Sequence, residues 1–399
     1  MSASDQPLPL SAIRVVEISH MVMGPTCGMI LGDLGAEVIK VEPPHGDGTR
    51  RLIGTGAGFF RTFNRNKKSV ALDLDTPEGL AALHKLVDSA DVFVENFKPG
   101  RMASLGLDYA SVKARNPRLI YVSHKGFLDG PYQHRLALDE VVQMMAGLAY
   151  MTGPPGRPLR AGSSVNDIMG GMFGAIGVLA ALFERTSSGL GKEVQSALFE
   201  NCVLLCAQHM SQFAATGVAP APMPGRISAW AVYDVFTLAH GEQMFIAATG
   251  DGQWRALCGI LQRPDLLADP TLTTNNDRVR MRATLLTTLA ETLAQFDGAT
   301  LIPLFEQHAI PFASITRPEQ LFEDKHLLES GGLAQLTLED GSQTPMPLLP
   351  FSLDGARLQP RLPIAAIGEH TAEVLRGLGY SDAQIDALGG ASQAASTSA

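Results

Sequence analysis

Short apolar runs alternate with amphipathic stretches along the first 130 residues. "IRVVEI" (13–18) is β-branched, and Gly24-Pro25 breaks the run that follows. Proline is well placed in the first turn of a helix, where its missing N–H costs nothing. "TCGMILGDLG" supplies that helix and ends at Gly35, a good C-terminal stop. "AEVIKVE" is the next strand. The alternation continues through "SVALDL", the capped helix "TPEGLAALHKLVDSA", the strand "DVFVENF", the helical "LDYASVKARNP" and the strand "RLIYVSHKGF". Strands alternating with helices predict βαβ units and a parallel sheet. In such Rossmann-type sheets, ligands sit beyond the carboxyl ends of the strands.

From about 136 to 215 the period becomes helical, through "LDEVVQMMAGLAYM", "SVNDIMGGMFGAIGVLAALF" and "VQSALFENCVLLCAQHMSQFAATG". "VAPAPMPGR" reads as a linker. "AVYDVFTLAHGEQMFIAAT" predicts a hairpin turning at His240-Gly241-Glu242, and "DGQWRALCGIL" a helix after it. The expected fold is therefore α/β, with a large Rossmann-type domain and a smaller α+β domain. Its N-terminal part covers 1–195, and 196–227 is helix and linker. The small domain covers 228–325, the chain returns to the large domain over 326–385, and 386–399 is a disordered tail.

At 399 residues with 45% hydrophobic and 18% charged side chains, the chain suits a compact protein with more than one core. A net charge of −9 argues against nucleic-acid binding, which needs a basic footprint. Cys27, Cys202, Cys206 and Cys258 form no C-x-x-C pair and read as buried free thiols. The opening "MSASDQPLPL" lacks the basic start and apolar core of a signal peptide. No apolar run is long enough to span a membrane. A cytoplasmic location and no membrane partner are expected. G-x-G-x-x-G, a Walker-type loop, G-x-S-x-G and H-E-x-x-H are all absent, and the histidines are scattered. No metal site is expected.

The chemistry concentrates at Asp167. It opens an apolar run of sixteen residues without another charge, in which Gly171, Gly174, Gly177 and Ala181 recur at helical spacing. Aspartate is a favoured helix N-cap, and capping alone would account for it. Gly170 and Gly171, however, weaken a first turn by about 1 kcal/mol each relative to alanine, which implies close approach of another group. A carboxylate with a reference pKa of about 3.9 is ionised at neutral pH and can act as a nucleophile without a base. A thioester is the matching electrophile, because its thiolate leaves readily. The glycine loop "TGDGQW" (249–254) offers backbone N–H groups for the developing oxyanion.

Six stretches then carry a resemblance: "GPTCGMILGDLGAEVIKVE", "NRNKKSVALDL", "DVFVENFKPG", "GPYQHR", "SVNDIMGGMFGAIGVLAALFER" and "GDGQW". In this order the chain resembles, over almost its whole length, the family III coenzyme A transferases of the formyl-CoA and carnitine type. The resemblance implies a homodimer with interlocked subunits and coenzyme A as substrate, with no permanently bound cofactor. It implies that Asp167 is the nucleophile, passing through a mixed anhydride and an aspartyl-CoA thioester. Gly250, Gly252 and Gln253 would shield these intermediates. Val22, Met23, Leu74, Asn96, Arg101 and Lys125 match coenzyme A-contacting positions. Oxalate-type members carry glutamine and alanine in place of Val22 and Met23. Racemases of this fold place a histidine before the aspartate matching Asp139. Leu138 stands there here, which favours transfer over the alternative, an acyl-CoA isomerase or racemase.

The acids exchanged are expected to be short. The loop "GDGQ" departs from the glycine-only run of oxalate enzymes. "SHKGFLDGPYQHR", "ALDEVVQMMAGLAYMTG" and "PLRAGSSVNDIMGG" are similar to members handling C4–C5 dicarboxylates. Itaconate is the first acceptor to consider and succinyl-CoA the donor. Arg135, Arg157 or Arg160 could hold a distal carboxylate, and Met144, Met145 and Met151 could supply an adaptable apolar lining.

Overall fold

The computed structural model describes residues 7–226 and 228–389. The chain forms two compact units, one of Met1–Pro222 with Lys325–Ala399 and one of Met223–Asp324. The first is built on a six-stranded sheet: β1 (Arg14–Ile18), β2 (Glu37–Glu42), β3 (Lys67–Ala71), β4 (Val92–Glu95), β5 (Ile120–Lys125) and β6 (Glu193–Ala197). All neighbours are parallel, in the order β3-β2-β1-β4-β5-β6. The order reverses between β1 and β4, which opens a crevice at their carboxyl ends.

Side-chain alternation gives each face of this sheet its own core. Val16, Ile18, Ile39, Val41, Val70 and Phe93 pack with Leu83 and Leu86 of the Pro77–Asp88 helix. Val15, Val38, Val92, Val94, Ile120 and Val122 face the helices Met23–Asp33 and Val165–Ser188 through Cys27, Leu31, Ala175 and Val178. The outer edge of β3 is closed by the C-terminal segment. His370 N–H donates to the Ser69 carbonyl at 2.9 Å, and Ala71 N–H to Thr371 Oγ1 at 3.0 Å. A covered edge cannot template pairing with another chain.

The glycines of the long helix Val165–Ser188 have a packing explanation. A Cβ on Gly171 would stand 2.5 Å from the Thr26 Cβ and 2.6 Å from the Met23 carbonyl oxygen. One on Gly170 would strike Met23 and come within 2.9 Å of Asn201 Nδ2, and one on Gly174 would meet the His124 ring. The groups that approach the helix backbone are thus the Met23–Asp33 helix and β5. Against the expectation that no apolar run reaches that length, this helix alone among the described residues is long and apolar enough to cross a membrane, with mean hydropathy 1.6. Its seam lies inside the first unit.

Four sequence expectations are corrected here. Residues 193–197 form strand β6 before the helix Leu198–Thr216 begins, because "EVQSA" gains a ladder only beside β5. The helical stretch 138–151 is two short helices, Asp139–Met145 and Leu148–Thr152, separated at Gly147 with φ +89. β3 begins at Lys67, two residues before the apolar run that predicted it. Residues 386–387 close the helix Asp382–Ala387 rather than opening a tail, and the expected disorder over 390–399 lies outside the described residues.

The second unit holds an antiparallel sheet of β7 (Val232–Thr237), β8 (Gln243–Ala248) and β9 (Phe312–Ser314). His240, at φ +61, makes the turn between β7 and β8. Helices Asp251–Ile260, Arg282–Leu293 and Gly298–Gln307 complete a core around Phe236, Met244, Ile246, Trp254, Leu289 and Phe305.

The glycine seam makes a testable demand on sequence. Gly171→Val is expected to cost about 2–3 kcal/mol through overpacking, read as a lower urea midpoint. Gly130→Ala, where a Cβ meets nothing within 4 Å, should leave the midpoint unchanged.

Candidate active site

A cavity of about 890 Å³ opens at the carboxyl ends of β1, β4 and β5. His20, Met21 and Met23 line it from the loop after β1, Asn96 to Met102 from the segment after β4, and Lys125 and Gly126 from the end of β5. Arg135, Asp139 and Asp167 complete the wall. Lys98, Arg101, Lys125 and Arg135 bring four cations to a wall that also carries acids, among them Glu95, Asp108, Asp129 and Glu193. Arg101 and Lys125 are held only loosely by acids, 3.9 Å from Asp75 and 3.8 Å from Asp129.

The loop after β1 is fixed from below by buried charge. Glu17 is fully buried, and its carboxylate lies against Gly28. It pairs with Lys67 at 2.8 Å and Lys40 at 3.4 Å. Lys40 Nζ donates to the Ser19 carbonyl at 2.6 Å, and Lys67 Nζ to that of Pro25 at 2.9 Å. Burial pulls the Lys67 ammonium down to about 8. From above, Asn96 clasps the same loop: its amide donates to the His20 carbonyl at 2.7 Å and accepts from His20 N–H at 3.0 Å. Between these anchors Met21 adopts φ +65, a left-handed conformation that is strained for a side chain of this kind.

Asp167 is the third residue of its helix, and it does not cap it. That task falls to Asp139, which is distant in sequence and buried. One Asp139 oxygen accepts the N–H groups of Asn166 at 2.8 Å and Asp167 at 3.1 Å. The other accepts from the Gln143 side chain, whose Oε1 in turn accepts Ala161 N–H at 2.8 Å. The Asp167 carboxylate accepts no hydrogen bond from any described residue. Burial, and then the nearby Asp139 charge, push its pKa up to about 7. Both causes favour the protonated form more than in an exposed aspartate, against the expectation of a carboxylate ionised like a free one. An uncapped, partly desolvated carboxylate on a cavity wall is suited to nucleophilic attack.

The remaining expected residues fall into two groups. Met23, Asn96, Arg101, Lys125 and Asp167 share the cavity. Val22 has its side chain in the core, 1% exposed, and Leu74 packs against the core on the other face of the sheet. Gly250, Gly252 and Gln253 belong to the second unit. Gln253 Oε1 accepts from Thr249 N–H at 3.0 Å and Gly250 N–H at 3.2 Å, so its amide shapes the loop and the Gly250 donor is already used. Of the three arginines, Arg135 lines the cavity and stacks 4.0 Å over Tyr132, whereas Arg160 pairs with Glu140 and Arg157 lies off the wall. His20, Met21, Gln143 and the capping role of Asp139 were not expected. Only the i, i+4 spacing of Asp139 and Gln143 in "DEVVQ" hinted at a linked pair.

The model of CoA-transferase family III matches residues 10–371. The chain is 34% identical to a succinate–glutarate CoA-transferase of Agrobacterium fabrum, covering 93% of this chain and 96% of that protein. It is 32% identical to a succinyl-CoA:mesaconate CoA-transferase of Haloarcula marismortui, over 92% and 95%. Among solved structures, a CAIB/BAIF family protein from Brucella suis superposes with a TM-score of 0.84 at 33% identity, covering 94% of this chain and 100% of that one.

The raised carboxyl has a signature in stability. The native state holds a proton that the unfolded chain releases above pH about 4, so the Asp167 contribution to stability falls between pH 4 and 7. Asp167→Asn should match the parent at pH 4 and exceed it by up to about 4 kcal/mol at pH 8, measured by denaturant unfolding at both values.

Proposed function

The chain belongs to CoA-transferase family III and transfers coenzyme A, and on that premise we propose that it moves coenzyme A from succinyl-CoA to a C4–C5 dicarboxylate, itaconate foremost, through Asp167. The observation that carries this reading is the unpartnered Asp167 carboxylate on the wall of a cavity that also presents Arg101, Lys125 and Arg135. Relatives named for glutarate and mesaconate support the acceptor class.

The steps follow from that carboxylate. An ionised Asp167 oxygen attacks the thioester carbonyl carbon, the C–S bond breaks, and the coenzyme A thiolate leaves a mixed anhydride. The thiolate attacks the Asp167 carbonyl carbon, succinate departs, and an aspartyl-CoA thioester remains. The acceptor carboxylate attacks this carbon, expelling the thiolate and forming a second anhydride. Attack of the thiolate on the acceptor carbonyl then yields the new acyl-CoA and frees Asp167. No proton transfer is needed once Asp167 is ionised. Asp139 keeps the helix N-terminus in place without competing for the electrophile, because both its oxygens are occupied.

Coenzyme A would lie along Met23, Asn96, Arg101 and Lys125, with Val22 and Leu74 supporting from the core. Arg135 would hold the distal carboxylate of the acceptor. The loop Gly250–Gln253 would keep water from the intermediates. An interlocked homodimer is part of the same proposal. Met172, Ile176, Phe183, Leu204 and Phe213 are 46–81% exposed on the two long helices, apolar side chains that a second copy would cover. Four buried free thiols suit a reducing cytoplasm.

Mixing the enzyme with succinyl-CoA, quenching with borohydride and mapping the peptides should find Asp167 reduced to the alcohol. An unmodified Asp167, under conditions that trap a known family member, would remove it from the mechanism. Solvent deuterium entering the acyl α-carbon would turn the assignment to an isomerase. With the mechanism secured, Arg135→Gln should raise KM for dicarboxylate acceptors about 10–100-fold, as loss of a bidentate charge contact does. Monocarboxylate acceptors should be affected far less.

A further inference from the structure

In the second unit, the peptide Thr249–Gln253 is held from two sides. Gln253 grips it from within, accepting from Thr249 N–H, Thr249 Oγ1 and Gly250 N–H while its Nε2 donates to the Ala309 carbonyl at 3.1 Å. On the other side lies Arg278, whose side chain has no exposure at all although it carries a full charge. Its Nη2 donates to Asp251 Oδ1 at 2.5 Å, and its Nη1 to the carbonyls of Leu272 and Thr273 at 3.0 Å each. The guanidinium also stands 5.2 Å from the centre of the Trp254 ring. Trp254 N–H closes the first helical turn onto the Gly250 carbonyl at 2.9 Å.

This is an unusual use of a cation. A buried ion pair is seldom more stabilising than apolar side chains of the same volume, so its presence calls for a geometric reason. The partner, Asp251, is half-exposed and opens the helix Asp251–Ile260, with Gly250 at its N-cap and Gly252 in its first turn. Glycines on both sides leave that first turn freer to fray than other residues would. A planar fork that fixes two carbonyls on one nitrogen and a carboxylate on the other removes that freedom, and an ammonium could not reproduce the arrangement.

We propose that Arg278 is a positioning residue which, through Asp251, prebuilds the glycine loop so that it is set before any substrate arrives. The proposal rests on the reading above that this loop keeps water from the acyl-enzyme. Removing the anchor loosens the Gly250–Gly252 backbone and lets water compete with the acceptor for the activated carbonyl.

Arg278→Lys and Asp251→Ala in the full chain test this with two readouts. The first is hydrogen–deuterium exchange of the 249–253 amides without substrate. Both variants should exchange there at least roughly five-fold faster than the parent, while the core amides of the second unit, at Leu289 and Phe305, exchange as in the parent. Unchanged exchange in both variants overturns the anchor. The second readout is the ratio of succinyl-CoA hydrolysis to transfer. It should rise about ten-fold in each variant, and the double variant should be no worse than either single one, as for a pair acting as a unit. Faster exchange with an unchanged ratio, in a parent that does transfer, would uphold the anchor and overturn the shielding role. A parent that transfers nothing would sink the proposed function while the exchange result still decides the anchor.

Discussion

Two helices can approach until their backbones nearly touch only where side chains are missing. Gly170, Gly171 and Gly174 create that condition along one face of Val165–Ser188, against Met23, Thr26 and His124. The position of the proposed nucleophile depends on it. Asp167 stands one turn before the seam, so the depth at which the helix seats decides how far its carboxylate reaches along the cavity wall. The other side of the seam is the helix whose first residues, Met23 to Thr26, follow the loop after β1. One contact therefore sets the spacing between the nucleophile and the loop expected to hold its substrate.

Charge completes what packing begins. Asp139 replaces the usual local cap with a carboxylate from a different helix, and Gln143 locks that carboxylate in turn. The consequence is twofold. Asp167 keeps its side chain free, and it bears the repulsion of a neighbouring anion that, with burial, lifts its pKa to about 7. A carboxylate in this setting is less solvated than an exposed aspartate, and its charged form is correspondingly more reactive. Under β1 the buried Glu17, Lys40 and Lys67 serve the loop in a similar way, holding the carbonyls of Ser19 and Pro25. Both clusters spend desolvation energy on geometry.

The family assignment and the site support one another without being the same argument. The family fixes the reaction class. Relatives active on glutarate and mesaconate narrow the acceptors under consideration. The choice of Arg135 over Arg157 and Arg160 comes from the cavity alone, where one of the three guanidinium groups lines the wall and another is tied to Glu140.

Much of the fold is legible in the residues themselves. Alternation and glycine stops marked five of the six parallel strands and most of the helices between them, because each signal is local: a β-branched run, a cap, a glycine at positive φ. The exception is β6, where "EVQSA" is too short and too polar to declare itself without β5 beside it. Asp167 was conspicuous as a lone charge before an apolar helix, and the glycine spacing announced close approach. What approached could not be read, since the partners, Met23, Thr26 and His124, lie up to 150 positions away and meet the helix only in the folded unit. The same holds for the capping by Asp139, the clasp of Asn96 on His20, and the burial of Val22. Local sequence determined which segments become strands and helices, and the tertiary structure alone decided which carboxylate is spent on a cap and which is left free to react.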